Sequence, residues 1–323
     1  MKILVIFTGG TIGSRVKDGW ISPAGSTPYL LLDGYLSKNK GVSFDTLSPY
    51  TVLSENLSAD NLTQLLSCVS QNLTKGYDGI IITHGTDTLQ YTAAALGFAF
   101  GRTLPIALVS SQKPLEDPLA NGHDNFAAAA ELIRSGERGV FAVYRNNDGR
   151  VYVHHASRLL RHGEVSDDLY SLSAHYGVCE KGRFVKNPDF VHGESSAPSG
   201  AVTFCESSGV LNIFCHPRGE YDYELSKVGA VLLQPYHSGT LCTSDDSFVR
   251  LCKRAADVGV PLFAVNVTDG AQYASSKAFK ELGIRALPLC AAIPVYMKLW
   301  MAKSLGADPV QFVSAPIYEE FLS

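Results

Sequence analysis

Two threonine-bearing turns are the segments of this chain whose residue types could carry out chemistry. The first is Thr8–Gly13 (TGGTIG), which directly follows the apolar run Ile3–Phe7. Paired glycines such as Gly9 and Gly10 let a backbone approach a ligand closely and present amide N–H groups to a developing oxyanion. The hydroxyl of Thr11 on this turn is a candidate nucleophile toward a carbonyl carbon. The same pattern also fits a tight turn with a hydroxyl cap, so this motif alone leaves both interpretations open.

The second turn is His84–Thr88 (HGTDT), and it follows the apolar segment Gly79–Thr83. Its two hydroxyls and one carboxylate provide a nucleophile or water-activating group beside an anchor for a substrate ammonium. Thr86 and Asp87 are the candidates for these roles. An alternative is that Asp87 or Thr88 merely caps a helix beginning near Leu89. His84 taken alone is more typical of a hydrogen-bonded structural histidine.

Both turns need a scaffold that brings the ends of strands together. Continuous apolar runs predict buried strands, at Ile3–Phe7, Gly79–Thr83, Ile106–Ser110, Val140–Tyr144, Val210–Phe214, Ala230–Leu233 and Pro261–Val265. Helical spacing predicts helices at Asp60–Leu73, Leu89–Phe100, Asn125–Arg134, Asp245–Val258 and Pro294–Leu305. Strands that alternate with helices predict an α/β fold with mostly parallel sheets. Ligands bind beyond the carboxyl ends of such strands, where both turns are expected to lie.

The length of 323 residues favours two domains. Small polar residues and a proline replace the periodic apolar residues at His192–Gly200. We therefore predict a larger N-terminal α/β domain at residues 1–190, an exposed linker at 191–204 and a smaller C-terminal α/β domain at 205–323.

Charge and composition limit the partners that this chain is expected to have. The net charge is −4 and there is no run of lysine or arginine, which argues against nucleic acid or an anionic membrane as the main partner. The seven cysteines have no metal-ligand spacing, so we expect free thiols in a reducing compartment and no metal site. The N-terminal apolar run is too short for a signal peptide, and no stretch reaches the length of a membrane span. A cytoplasmic location is predicted.

Taken together, the two turns resemble both signature segments of the bacterial-type L-asparaginase/glutaminase family, and most of all its cytoplasmic type I form. Three further segments resemble that family: Leu53–Leu57 (LSENL), Ser110–Leu115 (SSQKPL) and Asn121–Asn125 (NGHDN). The match is dense over about residues 1–135 and loose beyond them. The resemblance implies a large and a small α/β domain, a homodimer or homotetramer with sites between subunits, and no metal or organic cofactor.

The resemblance also implies roles for individual residues. Thr11 would attack the side-chain amide and form an acyl-enzyme, while Thr86 would position water or polarise the amide. Asp87 would belong to the same catalytic group and bind the substrate α-ammonium. Ser54 would hold the α-carboxylate, and Glu55 stands where the family often has a glutamine that contacts the ammonium. The amides around Gly10, Thr11 and Gly85 would form the oxyanion cradle.

The chain departs from the family in three places. One is Leu287–Met297, which lacks the acidic residue that members often carry there. The other two are single positions that matter for catalysis. Trp20 stands where members commonly place a lid tyrosine, and it offers only a donor N–H. Arg158 aligns with the lysine that partners the second threonine and the aspartate. Since arginine in practice keeps its proton, Arg158 could supply charge but not general base catalysis. Either the base then lies elsewhere, with His154 and His155 as candidates, or the activity on asparagine is weak.

These observations predict hydrolysis of L-asparagine to L-aspartate and ammonia through a threonine acyl-enzyme. Alternatives within the same class are L-glutamine or a modified asparagine as the substrate. An amidase subunit of a tRNA-dependent amidotransferase ranks lower, because such subunits usually carry an extension before the first motif and ten residues precede Thr11. A further alternative is a family member that binds an amino acid without turnover.

Overall fold

The computed structural model describes residues 1–17, 20–23, 27–163, 166–267 and 273–322. Within them the strands are β1 (Lys2–Phe7), β2 (Ser14–Lys17), β3 (Trp20–Pro23), β4 (Ser43–Leu47), β5 (Gly79–Thr83), β6 (Pro105–Val109), β7 (Gly139–Arg145), β8 (Val151–His155), β9 (Gly177–Glu180), β10 (Arg183–Lys186), β11 (Val210–Phe214), β12 (Ala230–Gln234), β13 (Leu262–Ala264) and β14 (Ile284–Ala286). The helices are α1 (Thr27–Leu36), α2 (Ala59–Ser70), α3 (Leu89–Phe100), α4 (Gly122–Ser135), α5 (Asp246–Asp257), α6 (Ala278–Glu281), α7 (Ala292–Leu305) and α8 (Pro309–Ser314). No described helix combines the length and the apolar character needed to cross a membrane.

The chain divides into two compact units. The first unit contains residues 1–192 and 197–203, and the second contains 193–196 and 204–323. The stretch that the sequence predicts to be a linker is thus shared between them.

The first unit is built on an eight-stranded sheet in the order β10-β9-β8-β7-β6-β5-β1-β4. Strands β4, β1, β5, β6 and β7 run parallel, and β8, β9 and β10 extend the sheet with antiparallel pairings. All residues of β5 and β6 are buried, as expected for strands covered on both faces. The carboxyl ends of the five parallel strands consequently share one edge of the sheet.

Local sequence explains where the helices of the first unit begin. Ser58 starts α2 with a capping box, in which its hydroxyl accepts from the backbone N–H of Asn61 and the Asn61 side chain accepts from the backbone N–H of Ser58. Helix α3 is apolar nearly all round, and eleven of its twelve residues are buried. Because α3 is buried in this way, it fixes the end of the segment that directly precedes it, His84–Thr88.

The second unit contains a four-stranded parallel sheet in the order β11-β12-β13-β14. Two apolar cores form within this unit, one including Phe248 of α5 and the other including Leu299 of α7. The α/β class with one larger and one smaller, mostly parallel sheet was predicted from the sequence, and the structure confirms it.

Candidate functional site

The first threonine turn is held against the segment that leads to Ser54. Gly10 donates its N–H to the carbonyl of Val52 at 3.1 Å, and Val52 donates its own N–H to the carbonyl of Thr8 at 3.1 Å. Gly9 has φ of +105°, and a Cβ on it would lie 2.3 Å from the Val52 oxygen. Only glycine permits this backbone path. The hydrogen bonds with Val52 continue the backbone pairing beyond the end of β1 into the turn.

Thr11 is half-buried and opens a short 3-10 turn, Thr11–Gly13. The carbonyl of Gly10 accepts from the backbone N–H of Gly13 at 3.0 Å and from the hydroxyl of the buried Ser14 at 2.7 Å. These two contacts hold the peptide immediately before Thr11. The candidate nucleophile therefore lies on a rigid backbone.

Three sequence-distant segments meet at two glycines. A Cβ on Gly10 would lie 2.4 Å from the backbone nitrogen of Gly85, and a Cβ on Gly85 would lie 2.3 Å from the hydroxyl oxygen of Ser54. Real Cβ atoms do not come so close to other atoms, so glycine is required at both positions. The backbone packing brings the turn that carries Thr11 against the turn that carries Thr86.

Ser54 and Asp87 are joined directly. The Ser54 hydroxyl donates to Oδ2 of Asp87 at 3.2 Å, and the Thr88 hydroxyl donates to the Ser54 carbonyl at 2.9 Å. Ser54 is buried, Thr86 is half-buried and Asp87 is exposed. Thr88 is the N-cap residue of α3 but makes no side-chain capping hydrogen bond, and among the described residues Asp87 bonds to a side chain instead. Simple helix capping therefore does not account for these two residues.

Glu55 follows Ser54 in the 3-10 turn Ser54–Asn56 and is exposed. Glu55 and Asp87 thus add negative charge beside the turn that carries Thr11. Such an arrangement suits a small ligand with a cationic group.

His84 underlies this site as a structural residue. Its Nδ1 lies 2.9 Å from the carbonyl oxygen of Gly85 and its Nε2 lies 2.9 Å from the Thr92 hydroxyl. Nδ1 must donate to the carbonyl, so Nε2 accepts from Thr92. Burial lowers the pKa of His84 to about 4, which keeps the ring neutral near pH 7. Because both nitrogens are engaged, His84 cannot serve as a general base.

Two buried asparagines lock the neighbouring strand ends. The side chain of Asn121 accepts from the backbone N–H of Gln112 and donates to the carbonyl of Arg145, each at 3.0 Å. Asn125 likewise donates to the carbonyl of Ser110 at 2.9 Å and accepts from the Arg145 N–H at 2.7 Å. The segments Ser110–Leu115 and Asn121–Asn125 therefore tie the end of β6 to the end of β7.

The part of the chain that contains the two threonine turns also matches a known protein family. The family described as Asparaginase, N-terminal, matches residues 2–164. The chain belongs to the asparaginase family.

Two curated relatives of this family member are Glutamyl-tRNA(Gln) amidotransferase subunits D. The one from Methanosarcina acetivorans is 29% identical over 206 residues, which cover 63% of this chain and 44% of the relative. The one from Metallosphaera sedula is 32% identical over 181 residues, which cover 55% of this chain and 37% of the relative. The chain thus spans less than half the length of these relatives.

Solved asparaginases share the fold over the whole chain. The thermostable L-asparaginase from Thermococcus kodakarensis has a TM-score of 0.83 at 19% identity, with 100% of both chains covered. L-asparaginase I from Vibrio cholerae has a TM-score of 0.79 at 20% identity and covers 100% of this chain and 99% of that one. At sequence identities of 19% and 20%, the structural similarity establishes a shared fold only.

In this asparaginase-family protein, Arg158 contacts the segment that contains Phe190 and Val191. It is buried at the end of the 3-10 turn Ala156–Arg158, where its Nη1 donates to the carbonyl of Val191 at 2.7 Å. Its guanidinium lies 4.5 Å from the centre of the Phe190 ring. These contacts hold the guanidinium of Arg158 against Phe190 and Val191.

The two histidines considered as replacement bases are buried in β8. His154 Nδ1 lies 2.8 Å from the Ser171 hydroxyl, and burial lowers the pKa of His154 to about 3. His155 Nδ1 lies 2.9 Å from the Ser157 hydroxyl, and its ring faces Phe141. Both rings belong to the interior of the first unit.

His162 is a candidate that sequence reasoning missed, because its position in the sequence shows no motif or ligand spacing. Its Nδ1 lies 3.1 Å from the carbonyl oxygen of Asp168, and its ring faces that of Tyr144 at 5.7 Å between centres. Burial lowers its pKa, while Asp87, Asp167 and the Asp168 contact partly offset this effect. The negative charge of Asp87 therefore acts on a neutral imidazole at the carboxyl edge of the sheet.

The loop that carries His162 is fixed to the end of β7. Asn146 donates its side-chain amide to the carbonyl of Leu169 and accepts from the Leu169 N–H, each at 3.0 Å. Asn147 donates its backbone N–H to Oδ1 of Asp168 at 2.6 Å. Folding of this loop, rather than any local motif, places His162.

The remaining predictions concern Trp20 and metals. Trp20 is the first residue of β3 in a hairpin with β2, but its side chain lies outside what the structure describes. Among the described residues no cluster of three or more histidine, cysteine, aspartate or glutamate side chains could hold a metal ion.

Proposed function

We propose that this protein hydrolyses the side-chain amide of L-asparagine to L-aspartate and ammonia through an acyl-enzyme on Thr11. The observation that carries the proposal is the contact of Gly10 with Gly85 and of Gly85 with Ser54, which brings the two threonine turns and the Asp87 carboxylate together. Membership of the asparaginase family supports the same reaction class.

In the proposed first step, the Thr11 hydroxyl oxygen attacks the amide carbon and its proton passes to a neighbouring base. The carbonyl π electrons move to oxygen, and amide N–H groups around Gly10, Thr11 and Gly85 stabilise that oxyanion. Collapse of the intermediate breaks the C–N bond, and ammonia leaves after taking up a proton. A water molecule then attacks the ester, assisted by Thr86, and releases aspartate and the free hydroxyl.

Asp87 and Glu55 would receive the α-ammonium of the substrate, while Ser54 would hold the α-carboxylate. The hydrogen bond from Ser54 to Asp87 supports this assignment because it places both recognition groups side by side. A charge-assisted contact with each end of a zwitterion also orients the amide toward Thr11.

For the ionisable partner of Thr86 and Asp87, His162 is better suited than Arg158. A guanidinium in practice keeps its proton, and that of Arg158 already bonds to the Val191 carbonyl. His162 is neutral, its ring is subject to the charge of Asp87, and its Nε2 has no hydrogen-bond partner among the described residues. We therefore assign His162 a proton-handling or positioning role beside Asp87.

The deciding experiment measures ammonia release from L-asparagine, L-glutamine and other ω-amides. We expect turnover of L-asparagine, and a fall in kcat of about 10³-fold or more in Thr11→Ala because the nucleophile is removed. Thr86→Val should reduce kcat, and His162→Gln should reduce it and remove the acidic limb of the pH–rate profile. Arg158→Lys is the matched control for His162 and should retain that limb.

A wild-type protein that releases no ammonia from any amide would contradict the enzymatic proposal. Thermal stabilisation by aspartate or asparagine without turnover would then indicate an amino-acid-binding protein. If L-glutamine is turned over faster than L-asparagine, the reaction class stands and the substrate assignment is wrong.

The curated relatives favour a second candidate function, the amidase component of a tRNA-dependent amidotransferase. Identities of 29% and 32% to two D subunits support it, although this chain spans less than half of each. In that case ammonia release from the isolated chain should be slow and should rise on addition of glutamyl-tRNA(Gln) with the remaining subunits. Unchanged turnover would exclude this function.

We also propose that the protein is a cytoplasmic homodimer or homotetramer that binds a small amide and neither nucleic acid nor membrane. All seven cysteines are free thiols, which supports a reducing compartment. Light scattering coupled to gel filtration measures the oligomeric state.

A further inference from the structure

Thr88 uses its hydroxyl in a way that its position at the start of a helix does not predict. It is the N-cap residue of α3, where a threonine side chain ordinarily accepts a hydrogen bond from a backbone N–H of the first turn. Within the described part of the chain it makes no such bond. Its hydroxyl instead donates at 2.9 Å to the carbonyl of Ser54, which lies 34 positions earlier in the chain. Thr88 therefore joins two segments of the candidate site.

Ser54 is held through both its backbone and its side chain. Its carbonyl accepts from the N–H of Leu57 at 3.1 Å as well as from the hydroxyl of Thr88. A Cβ on Gly85 would lie 2.5 Å from Cβ and 2.3 Å from Oγ of Ser54, so the serine side chain packs directly on that glycine. Only 5% of Ser54 is exposed. Its hydroxyl oxygen is therefore held in one place.

Asp87 and Thr88 contact Ser54 from consecutive positions. The Ser54 hydroxyl donates to Oδ2 of Asp87 at 3.2 Å, while the Ser54 carbonyl accepts from Thr88. Because Asp87 and Thr88 are neighbours in the chain, the two hydrogen bonds close a ring between the Ser54 turn and the segment His84–Thr88. Removal of the Thr88 hydroxyl opens this ring and leaves the side chains of Ser54 and Asp87 chemically intact.

The hydroxyl of Ser54 has a single hydrogen to donate, and it donates that hydrogen to Asp87. Under the proposed function, on which this inference rests, the same hydrogen must serve the α-carboxylate of the substrate. The exposed carboxylate of Asp87 can receive the α-ammonium in its place. Only the hydrogen has to turn about the Cβ–Oγ bond, provided that the oxygen stays where the Ser54 backbone holds it.

We propose that Thr88 is a positioning residue for substrate recognition, which fixes Ser54 so that its hydroxyl can exchange Asp87 for the α-carboxylate of a bound ligand. The ligand class is an α-amino acid with both of its charged ends. The ammonium replaces the Ser54 hydroxyl at Asp87, and the carboxylate accepts the hydrogen that is released. Binding of each end thereby favours binding of the other.

The experiment compares Thr88→Val, which removes the hydroxyl and keeps a β-branched side chain, with Thr88→Ser, which keeps the hydroxyl. In Thr88→Val we expect KM for L-asparagine to rise about fivefold and kcat to change by less than about twofold, because binding is lost equally from the ground state and the transition state. Thr88→Ser should restore KM to within about twofold of the wild-type value.

Thr103→Val is the matched control. The Thr103 hydroxyl also donates to a backbone carbonyl, that of Phe100 at the other end of α3. The same substitution there removes a hydroxyl from the same helix without opening the ring around Ser54. KM for L-asparagine should be unchanged in this variant.

Two ligands separate positioning from a general loss of structure. L-aspartate carries the α-ammonium and the α-carboxylate, whereas β-alaninamide corresponds to asparagine without its α-carboxylate. In thermal-shift titrations, Thr88→Val should weaken binding of L-aspartate about fivefold and of β-alaninamide by less than about twofold. A role confined to the fold would weaken binding of both ligands alike.

Ser54→Ala completes a double-mutant cycle. If Thr88 acts only through Ser54, adding Thr88→Val to Ser54→Ala should raise KM no further than Ser54→Ala does alone. Independent effects would multiply instead, and that result would overturn the positioning role. Equal weakening of both ligands, or a Thr88→Ser variant that behaves like Thr88→Val, would also overturn it.

Failure of the proposed function gives a different result from failure of this inference. A wild-type protein that binds L-aspartate but releases no ammonia contradicts the amidohydrolase, and the comparison of the two ligands still decides the role of Thr88. A wild-type protein that binds neither ligand overturns the positioning role together with the substrate site. Circular dichroism and urea unfolding check that each variant is folded.

Discussion

The carboxylates of Asp87 and Glu320 lie in opposite environments. Asp87 is exposed and accepts one side-chain hydrogen bond among the described residues, from Ser54. Glu320 is completely buried, and its oxygens accept from the ammonium of Lys298 at 2.5 Å and from the backbone N–H groups of Ile317 and Tyr318. Most of the hydrogen-bonding capacity of Glu320 is therefore used within the protein.

The Lys298 side of the buried pair is equally well satisfied. Its ammonium also donates to the carbonyls of Val313 and Ala315. Burial lowers the pKa of Lys298, and Glu320 offsets part of that effect. The comparison teaches that a buried charge whose partners are all internal contributes to the fold, while a carboxylate with acceptor capacity facing solvent can bind a ligand.

The largest expected effect comes from breaking the buried pair. Lys298→Met should lower the free energy of unfolding by about 3–5 kcal/mol, because it leaves the Glu320 charge buried without its counterion. Denaturant unfolding of both proteins measures the difference. The folded fraction should keep its kcat for ammonia release.

The exposed pair formed by Arg150 and Glu180 is the matched control. Its N–O distance is 2.8 Å, but both side chains are about half exposed. Glu180→Gln should change the free energy of unfolding by less than about 1 kcal/mol. If Lys298→Met were as mild as this control, the structural role given to the buried pair would be wrong.

The parts of the fold that depend on local pattern were predictable from sequence. The runs at β1 and β5 are apolar throughout, and helix α3 was predicted at its observed bounds, Leu89–Phe100. By contrast, β10 has four residues that are largely exposed and lack an apolar period, so its pairing with β9 carries no local signal. Strands of that kind form only when the neighbouring sheet offers an edge.

The candidate site divides in the same way. Glycine-rich turns after buried strands identified Thr11, Thr86 and Asp87, and the family resemblance added Ser54 and Glu55. The setting of Arg158 and the approach of His162 to the charge of Asp87 depend on a loop tied down by Asn146 and Leu169. The contacts of the loop that carries His162 cannot be predicted from the spacing of residues in the sequence.

The next largest effect on the free energy of unfolding is expected when the pH is lowered. His84 and His154 are buried as neutral rings with pKa values of about 4 and 3, below the ordinary value of 6.5. The unfolded chain therefore binds more protons than the folded one below pH 6.5. The contribution of these two rings to the free energy of unfolding is complete above this pH and declines as the pH falls toward 4. Between pH 7 and pH 5 each ring should lower the free energy of unfolding by about 2 kcal/mol.

Urea unfolding at pH 7, 6 and 5 measures this slope. His84→Gln should flatten it, whereas His237→Gln, which alters an exposed histidine, should leave it unchanged. An equal slope in wild type and His84→Gln would show that the ring below the site does not titrate as inferred. This variant tests the structural support of the site rather than its chemistry.

The smallest effect tests whether Ser54 serves the ligand or only the fold. Ser54→Ala removes the donor to Asp87 and the proposed contact to the substrate carboxylate. We expect KM for L-asparagine to rise about tenfold, which corresponds to about 1.4 kcal/mol, with kcat changed by less than about threefold. Ser48→Ala removes a hydroxyl that donates to the carbonyl of Phe7 at 3.2 Å and should leave KM unchanged. If instead both serine variants lower stability equally and neither changes KM, then Asp87 and Ser54 form a structural pair like that of Lys298 and Glu320, and substrate recognition must lie elsewhere along the sheet edge.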